Sequence, residues 1–367
     1  MKVAYLDLSR QFQDEALFEE VKKVFGRGQF ILGSEVERFE AAFADVCGTR
    51  FTLGLNSGTD ALFLTLKALG IGPGDEVITV SNSFVATAGA IMAAGAKPVF
   101  VDVAPDYNID VNLIEPSITP RTKAIIPVHL TGNPADMPEI VALAKRHGLY
   151  VIEDAAQSVM AAINGQQTGS FGDAGCFSLH PLKNLNVGGD GGVLTTNSED
   201  LYRKIKMLRN HGLKNRDEIE FFGYNSRLDA IQAVVALYGL KRLKEVTQKR
   251  IANAALYDRE LKDLENCVSL PPRRPGWNQV FHTYVIQVKE RERLMAFLEK
   301  QGVETKIHYP IPIHLQKPCR QLGYKKGDFP VCESQSERIL TLPIHQYLTA
   351  EQLFYVTKQI KGFYGVN

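Results

Sequence analysis

Gly175-Cys-Phe-Ser-Leu-His-Pro-Leu-Lys-Asn-Leu-Asn-Val-Gly-Gly-Asp-Gly-Gly192 is the stretch whose reading decides the fold. A short apolar strand runs into a loop that carries Lys183, and a glycine run follows. Upstream, Leu149-Tyr-Val-Ile-Glu-Asp154 is a second apolar run that ends on two acids and continues into Ala155-Ala-Gln157. Lys183 sits among apolar and small neighbours, and the glycines after it let backbone approach a ligand closely. A lysine so placed, with a carboxylate at the end of a preceding buried strand, has the makings of a Schiff-base site with a pyridinium partner.

Working outward, short apolar runs alternate with helical patterns between about residues 50 and 215. That alternation signals an α/β fold, a mostly parallel sheet with helices on both faces. Strands are expected at Phe51–Leu55, Glu76–Val80, Pro98–Val103, Ala124–Val128, Tyr150–Glu153, Cys176–Leu179 and Gly192–Thr196, and helices at Thr59–Leu69, Ala86–Ala94, Met137–Arg146 and Leu201–His211. From Arg227 the pattern is helical through Leu243 and beyond. After the break at Pro271-Pro-Arg-Arg-Pro275 the tail reads as strand Thr283–Val288, helix Glu290–Gln301, strand Thr305–His308 and helix Ala350–Lys361. The expected organisation is a large α/β domain over 1–245 and a smaller α+β C-terminal domain over 246–367, with the N-terminal 1–33, Glu15–Gly33 in particular, packing on the small one.

The chain has 367 residues, 45% hydrophobic and 23% charged, and a formal net charge of +1. These are the proportions of a globular protein with ample core, and the near-neutral balance argues against a nucleic-acid partner. Five scattered cysteines without a C-x-x-C pair read as free thiols, not as a disulfide frame or a metal site. The opening residues lack a signal-peptide apolar core and no run is long enough to span a bilayer, so a cytoplasmic protein is expected.

Four further features carry chemistry. Asn56-Ser-Gly-Thr-Asp60 follows a strand and opens a helix, where free N–H groups, the dipole and the Ser57 and Thr59 hydroxyls suit a phosphate; a plain N-cap is the competing reading. Phe84, at a strand-to-helix junction in Ser81-Asn-Ser-Phe-Val-Ala-Thr87, can stack on a flat heteroaromatic ring or simply cap the core. Asp154 needs a partner if buried, and a protonated pyridine nitrogen supplies one; the alternative is a helix N-cap. Glu153 points to the other side of the strand. Gln157, about one turn on, is placed to reach the phenolic oxygen of such a cofactor. Together with Lys183, whose amine burial would make nucleophilic, these describe a site for pyridoxal phosphate. No Gly-x-Gly-x-x-Gly follows a strand, which counts against a dinucleotide fold.

Asn56-Ser-Gly-Thr-Asp-Ala, Phe84-Val-Ala-Thr, Glu153-Asp-Ala-Ala-Gln-Ser, Phe177-Ser-Leu-His-Pro-Leu-Lys-Asn and Gly223-Tyr-Asn-Ser-Arg-Leu-Asp together resemble the DegT/DnrJ/StrS sugar aminotransferases, in that family's order and spacing from about Tyr5 to the last helix. The resemblance implies a fold-type I enzyme dependent on pyridoxal phosphate. It implies Lys183 as the Schiff-base lysine, Asp154 as the pyridinium partner, Gln157 at the phenolic oxygen and Phe84 as the stacking ring. Gly58, Thr59 and Ser178 would hold the phosphate. Asn225 would reach it from a neighbouring subunit, so a homodimer with shared sites follows.

The same resemblance points to a nucleotide-linked keto sugar and L-glutamate as partners. Lys306-Ile-His-Tyr-Pro-Ile-Pro-Ile-His-Leu315 and His180-Pro-Leu-Lys-Asn-Leu-Asn186 are similar to members that aminate C-3 of a dTDP-3-keto-6-deoxyhexose. His180, Tyr224, His308 and Tyr309 would lie near the sugar. His308 and His314, six apart across two prolines, have no metal-ligand spacing. Amination at C-4 is the alternative within the family, and sugar dehydration is another, although relatives of that kind carry histidine where Lys183 stands. His129-Leu-Thr-Gly-Asn133 departs from the His-Leu-Tyr-Gly turn of many members and is expected to alter sugar contacts.

Overall fold

The computed structural model describes residues 1–366, and a seven-stranded sheet organises most of them. Across the sheet the order is Phe51–Leu55, Gly192–Thr196, Ala174–Ser178, Tyr150–Asp154, Thr122–Ile126, Glu76–Val80, Lys97–Val101. Gly192–Thr196 pairs antiparallel with both of its neighbours, and every other adjacent pair is parallel. Six strands therefore point the same way. Glu76–Val80 and Gly192–Thr196 are buried at every position, as expected of strands covered on both faces.

Two apolar layers cover the sheet. On one face Leu62, Leu66, Ile91 and Ile205 pack from helices Gly58–Ala68, Ala86–Ala94 and Glu199–Leu208. On the other, Phe39 and Phe43 meet Phe177, Val193, Ala233 and Ala236 at one end, and Met137, Ile140 and Leu143 cover the strands at the other.

A second, antiparallel sheet of Val268–Ser269, Tyr284–Val288 and Ile339–Leu342 carries helices Arg291–Lys300 and Ala350–Phe363, with Tyr257, Tyr284 and Ile286 in its core. Helix Ala230–Leu261 runs through both cores, and its 32 residues span about 48 Å. Its first half packs Ala233 and Ala236 on the large sheet's layer, its second half Ala254, Tyr257 and Leu261 on the small sheet's. A boundary at 245/246 thus falls inside a continuous helix.

The structure corrects two expectations. Glu15–Arg27 does not lie on the small sheet: Leu17 packs with Val36 and Phe39, and Val24 with Ala230 and Val234. Only the first few residues reach the small sheet, where Val3 is fully buried and pairs with Val303. Thr305–His308 is not a strand. Lys306 exchanges two backbone hydrogen bonds with Thr341 (3.1 and 2.8 Å) and the pairing stops there. Pro310 and Pro312 cannot donate to a ladder, so the segment turns away. Among the described residues no helix is long and apolar enough to cross a membrane.

Candidate active site

Because six strands run in parallel, their C-terminal ends gather on one edge, where ligands of open α/β sheets bind. Leu55, Ile126, Asp154 and Ser178 all lead into one cavity of about 450 Å³, and Gly191 enters it just before the antiparallel strand starts. Its lining includes Gly58, Thr59, Phe84, Asp154, Gln157, Ser178, His180, Lys183, His308 and Tyr309, ten of the twelve candidate positions.

Asp154 ends its strand almost completely buried. The Thr87 hydroxyl donates to Oδ2 at 2.7 Å and the Ala156 N–H to Oδ1 at 3.2 Å. Burial nevertheless pushes the carboxyl above its usual range, with the bond from Thr87 acting the other way. A carboxylate so enclosed wants a positive partner. Glu153 is a different kind of acid. Fully buried on the opposite side, it accepts the N–H groups of Gly169 (2.7 Å), Phe171 (2.7 Å) and Gly172 (2.9 Å). His129 joins them through Nε2 at 3.0 Å, its Nδ1 accepting the Ala135 N–H, so Nε2 is the protonated nitrogen. Glu153 is a brace for the chain that follows.

Lys183 makes no side-chain hydrogen bond or ion pair among the described residues. It is only partly covered in the open cavity, yet the protein packed around the amine lowers its pKa to about 8, and Asp154 opposes that shift. The loop that presents it is tied down around it: its N–H donates to the His180 carbonyl at 2.8 Å and its carbonyl accepts from Asn186 at 3.2 Å. A lysine amine poised near neutrality is a competent nucleophile and base.

Helix Gly58–Ala68 aims its start at the cavity. The Ser57 side chain caps it by accepting the Asp60 N–H at 3.1 Å, so Ser57 is an N-cap. The N–H groups of Gly58 and Thr59 have no acceptor among the described residues and remain available to an anion. Close approach is built in. A Cβ at Gly192 would stand 2.2 Å from the Ser57 carbonyl atoms, and one at Gly58 3.0 Å from Ser178 Cβ. The Ser178 hydroxyl lines the same end.

Phe84 is half exposed at the mouth, 6.1 Å between ring centres from Tyr309. Gln157 Oε1 accepts the Thr131 N–H at 2.8 Å, which fixes the amide with its NH2 end beside the Tyr309 hydroxyl. Thr131 holds Gln157 and does not itself line the cavity: it is buried, and its hydroxyl accepts from Gln279 at 3.1 Å. His308 is held by Thr341 (2.9 Å), stacks on Tyr5 and is kept neutral, its pKa lowered to about 4 by burial and by Lys183.

Two candidates lie outside this chain's cavity. Tyr224 packs edge-on against Phe63 at 5.0 Å and does not line it, because the Tyr224 backbone is tied to Leu208 and His211 on the far side of the helix start. Asn225 follows on the same exposed loop, anchored where Ser226 donates to Asp60 at 2.8 Å. Ser83, Thr87 and His282 belong to the site and were not singled out. Thr87 had a visible signal, a hydroxyl three residues after Phe84 in the first turn of the helix. His282 had none, since the chain that brings it in lies about a hundred residues after Lys183.

The residues fit pyridoxal phosphate: an unpaired amine, a buried acid in want of a cation, and open N–H donors where the backbone leaves no room for a side chain. Residues 11–361 match the DegT/DnrJ/EryC1/StrS aminotransferase family. The chain belongs to this family. It is an aminotransferase, and pyridoxal phosphate is its cofactor. The aminotransferase is 44% identical to a UDP-N-acetyl-3-dehydro-alpha-D-glucosamine 3-aminotransferase of Acidithiobacillus ferrooxidans, over 98% of this chain and 97% of that protein. It is 39% identical to a dTDP-3-amino-3,4,6-trideoxy-alpha-D-glucose transaminase of Streptomyces venezuelae, over 98% of this chain and 96% of that one. The crystal structure of S. venezuelae DesV with a ketimine intermediate superposes with a TM-score of 0.96 at 39% identity, covering 99% and 98% of the two chains.

Proposed function

We propose that this aminotransferase moves an amino group from L-glutamate to C-3 of a nucleotide-linked 3-keto sugar, a dTDP-3-keto-6-deoxyhexose in the first instance, in a ping-pong cycle. The observation that carries the reading is the unpaired Lys183 amine, near neutral and enclosed in a cavity with Asp154. The choice of C-3 draws on relatives named for 3-amino or 3-keto sugars, whose nucleotides are dTDP in some and UDP in others.

When bound, pyridoxal phosphate supplies an electron sink for the carbon that loses a proton and a carrier for the amino group. The residues do the rest. Asp154, held by Thr87 and Ala156, would pair with the cofactor's ring nitrogen and keep it positively charged. Gly58, Thr59 and Ser178 would hold the phosphate through N–H and hydroxyl donors. Phe84 would cover the ring and the Gln157 amide would donate to its phenolic oxygen. Lys183 Nζ would hold the cofactor and act as the base that removes a proton from the donor and returns one to the acceptor, a task a pKa near neutrality suits in both directions. His308 and Tyr309 offer uncharged hydrogen-bonding groups to the sugar.

The enzyme works as a homodimer in which Asn225 completes the partner's phosphate site. Its place on an exposed loop outside the chain's own cavity, beside the bare Phe222 (92% exposed) and Ile219, supports this. An absorbance scan tests the function. L-glutamate should convert the visible cofactor band to a near-ultraviolet one with release of 2-oxoglutarate, and dTDP-3-keto-6-deoxyglucose should restore it. A band that glutamate leaves unmoved would overturn the donor, and one that the sugar fails to restore would overturn the acceptor.

A further inference from the structure

Of the described histidines that are not exposed, His282 alone has neither ring nitrogen in a hydrogen bond with the protein. His129, His308, His314 and His345 each engage at least one. Its Nδ1 is buried without a partner, and the residue lines the cavity beside Lys183, His308 and Tyr309. Buried polar groups left unpaired are uncommon and ask for an explanation.

The backbone around it is held on every side. The Val280 N–H donates to the Gly132 carbonyl at 3.0 Å and the Val280 carbonyl accepts from Asn184 at 3.1 Å. Arg250, itself buried and without a carboxylate partner among the described residues, donates from Nη1 to the carbonyls of Phe281 (3.1 Å) and His282 (3.2 Å). Phe281 sits at φ 49°, a left-handed conformation that an aromatic residue rarely adopts. A costly turn clamped by Gly132, Asn184 and Arg250 places one imidazole at the cavity wall and leaves its hydrogen-bonding capacity unspent. Strain of this kind persists where surrounding structure enforces it, and it collects at ligand sites.

The charge around the ring says what ligand it suits. Burial and the nearby Lys183, Arg250, His308 and His180 keep it neutral, and His308 is neutral too. With Nδ1 buried, Nε2 is the ring nitrogen left to meet a ligand, and on a neutral imidazole it can exchange a hydrogen bond with a hydroxyl group. A carboxylate would be better served by a cation, and this wall presents none except the reacting lysine.

Resting on the function proposed above, we infer that His282 positions the keto sugar, hydrogen-bonding a hydroxyl next to the reacting carbonyl, and takes no part in the reaction with the amino donor. The test follows each half-reaction separately at the cofactor absorbance in wild type, His282→Phe and His282→Asn, with L-glutamate and with dTDP-3-keto-6-deoxyglucose. His282→Phe should lower the sugar half-reaction's specificity constant about tenfold or more, the size of one lost hydrogen bond, and leave the glutamate half-reaction within about threefold. His282→Asn should recover part of the loss, and dTDP alone should bind all three proteins equally. Equal losses in both half-reactions, weakened dTDP binding, or no loss at all would overturn the assignment while wild-type turnover upheld the function. If the wild-type enzyme left the sugar untouched, the acceptor reading would fall and the His282 assignment with it.

Discussion

Thr87→Val removes one hydroxyl and keeps the shape of the side chain. What it takes away is the 2.7 Å hydrogen bond to Asp154 Oδ2, together with the 2.8 Å bond between the Thr87 and Ser83 hydroxyls. Both partners are buried, so water cannot take over the role. A hydrogen bond to a charged group contributes about 1.5–3 kcal/mol, and because the Ala156 N–H still supports the other oxygen, the lower end applies. The loss falls on the ionised form of Asp154, which is the form that pairs with the cofactor's ring nitrogen. Affinity of the apoenzyme for pyridoxal phosphate should therefore drop about tenfold.

The pH dependence has a definite sign. Thr87 lowers the Asp154 pKa against the effect of burial, so its removal raises that pKa further. The ionised fraction then shrinks as pH falls, and the defect should be larger near pH 6 than near pH 8. Thr87→Ser, which keeps the hydroxyl, should stay within about threefold of wild type. Titration of apoenzyme with pyridoxal phosphate, read by absorbance at both pH values, measures all of this. A Thr87→Val protein that binds the cofactor as wild type does at both would refute the view that this hydroxyl sustains the Asp154 charge.

Gly192→Ala should cost cofactor affinity more than overall folding, because its Cβ would press on Ser57 backbone at 2.2 Å and shift the start of the phosphate-binding helix; a phosphate-binding titration alongside thermal melting separates the two. The rate at which apoenzyme captures pyridoxal phosphate should rise with pH through a midpoint near the Lys183 pKa of about 8, since only the neutral amine attacks; a flat profile from pH 6 to 9 would contradict it. Lys183→Ala and Asn225→Ala should each be inactive or nearly so, yet mixing and re-equilibrating them should recover about a quarter of wild-type activity through heterodimers with one intact site. No recovery would sink the shared-site dimer. Glu153→Leu should be among the most destabilising single changes, about 3 kcal/mol or more, because it strands the buried Gly169 N–H, the part-buried N–H groups of Phe171 and Gly172, and His129; denaturant unfolding checks it.

Much of this site was legible because chemistry and local geometry coincide in the sequence. Strand ends are marked by apolar runs, and in a parallel sheet all those ends meet on one edge. Asp154 and the Asn56–Asp60 turn thus read as parts of a common site from strand ends alone, and Ser178 joins them through the family resemblance. Strand bounds at Phe51–Leu55, Glu76–Val80 and Gly192–Thr196 match the structure residue for residue. What sequence left hidden depends on contacts between distant segments. The N-terminal helix follows the sheet's layer because Leu17 and Val24 find Phe39 and Val234, which no local pattern announces. Ile307-His308-Tyr309 alternates like a strand, but one pairing with Thr341 and two nearby prolines decide otherwise. His282 reads as an ordinary residue before a strand; only the clamp from Gly132, Asn184 and Arg250 makes it a cavity wall. Thr131 shows the reverse: a residue marked out by its turn that lies behind the cavity wall, where its N–H holds Gln157.

The most direct test of the central claim is to reduce the purified enzyme with borohydride in the presence of pyridoxal phosphate, digest it and locate the pyridoxyl group by mass spectrometry. The account predicts one modification per chain, on the peptide that contains Lys183 and on that residue. A pyridoxyl group on any other lysine, or none at all, would contradict it.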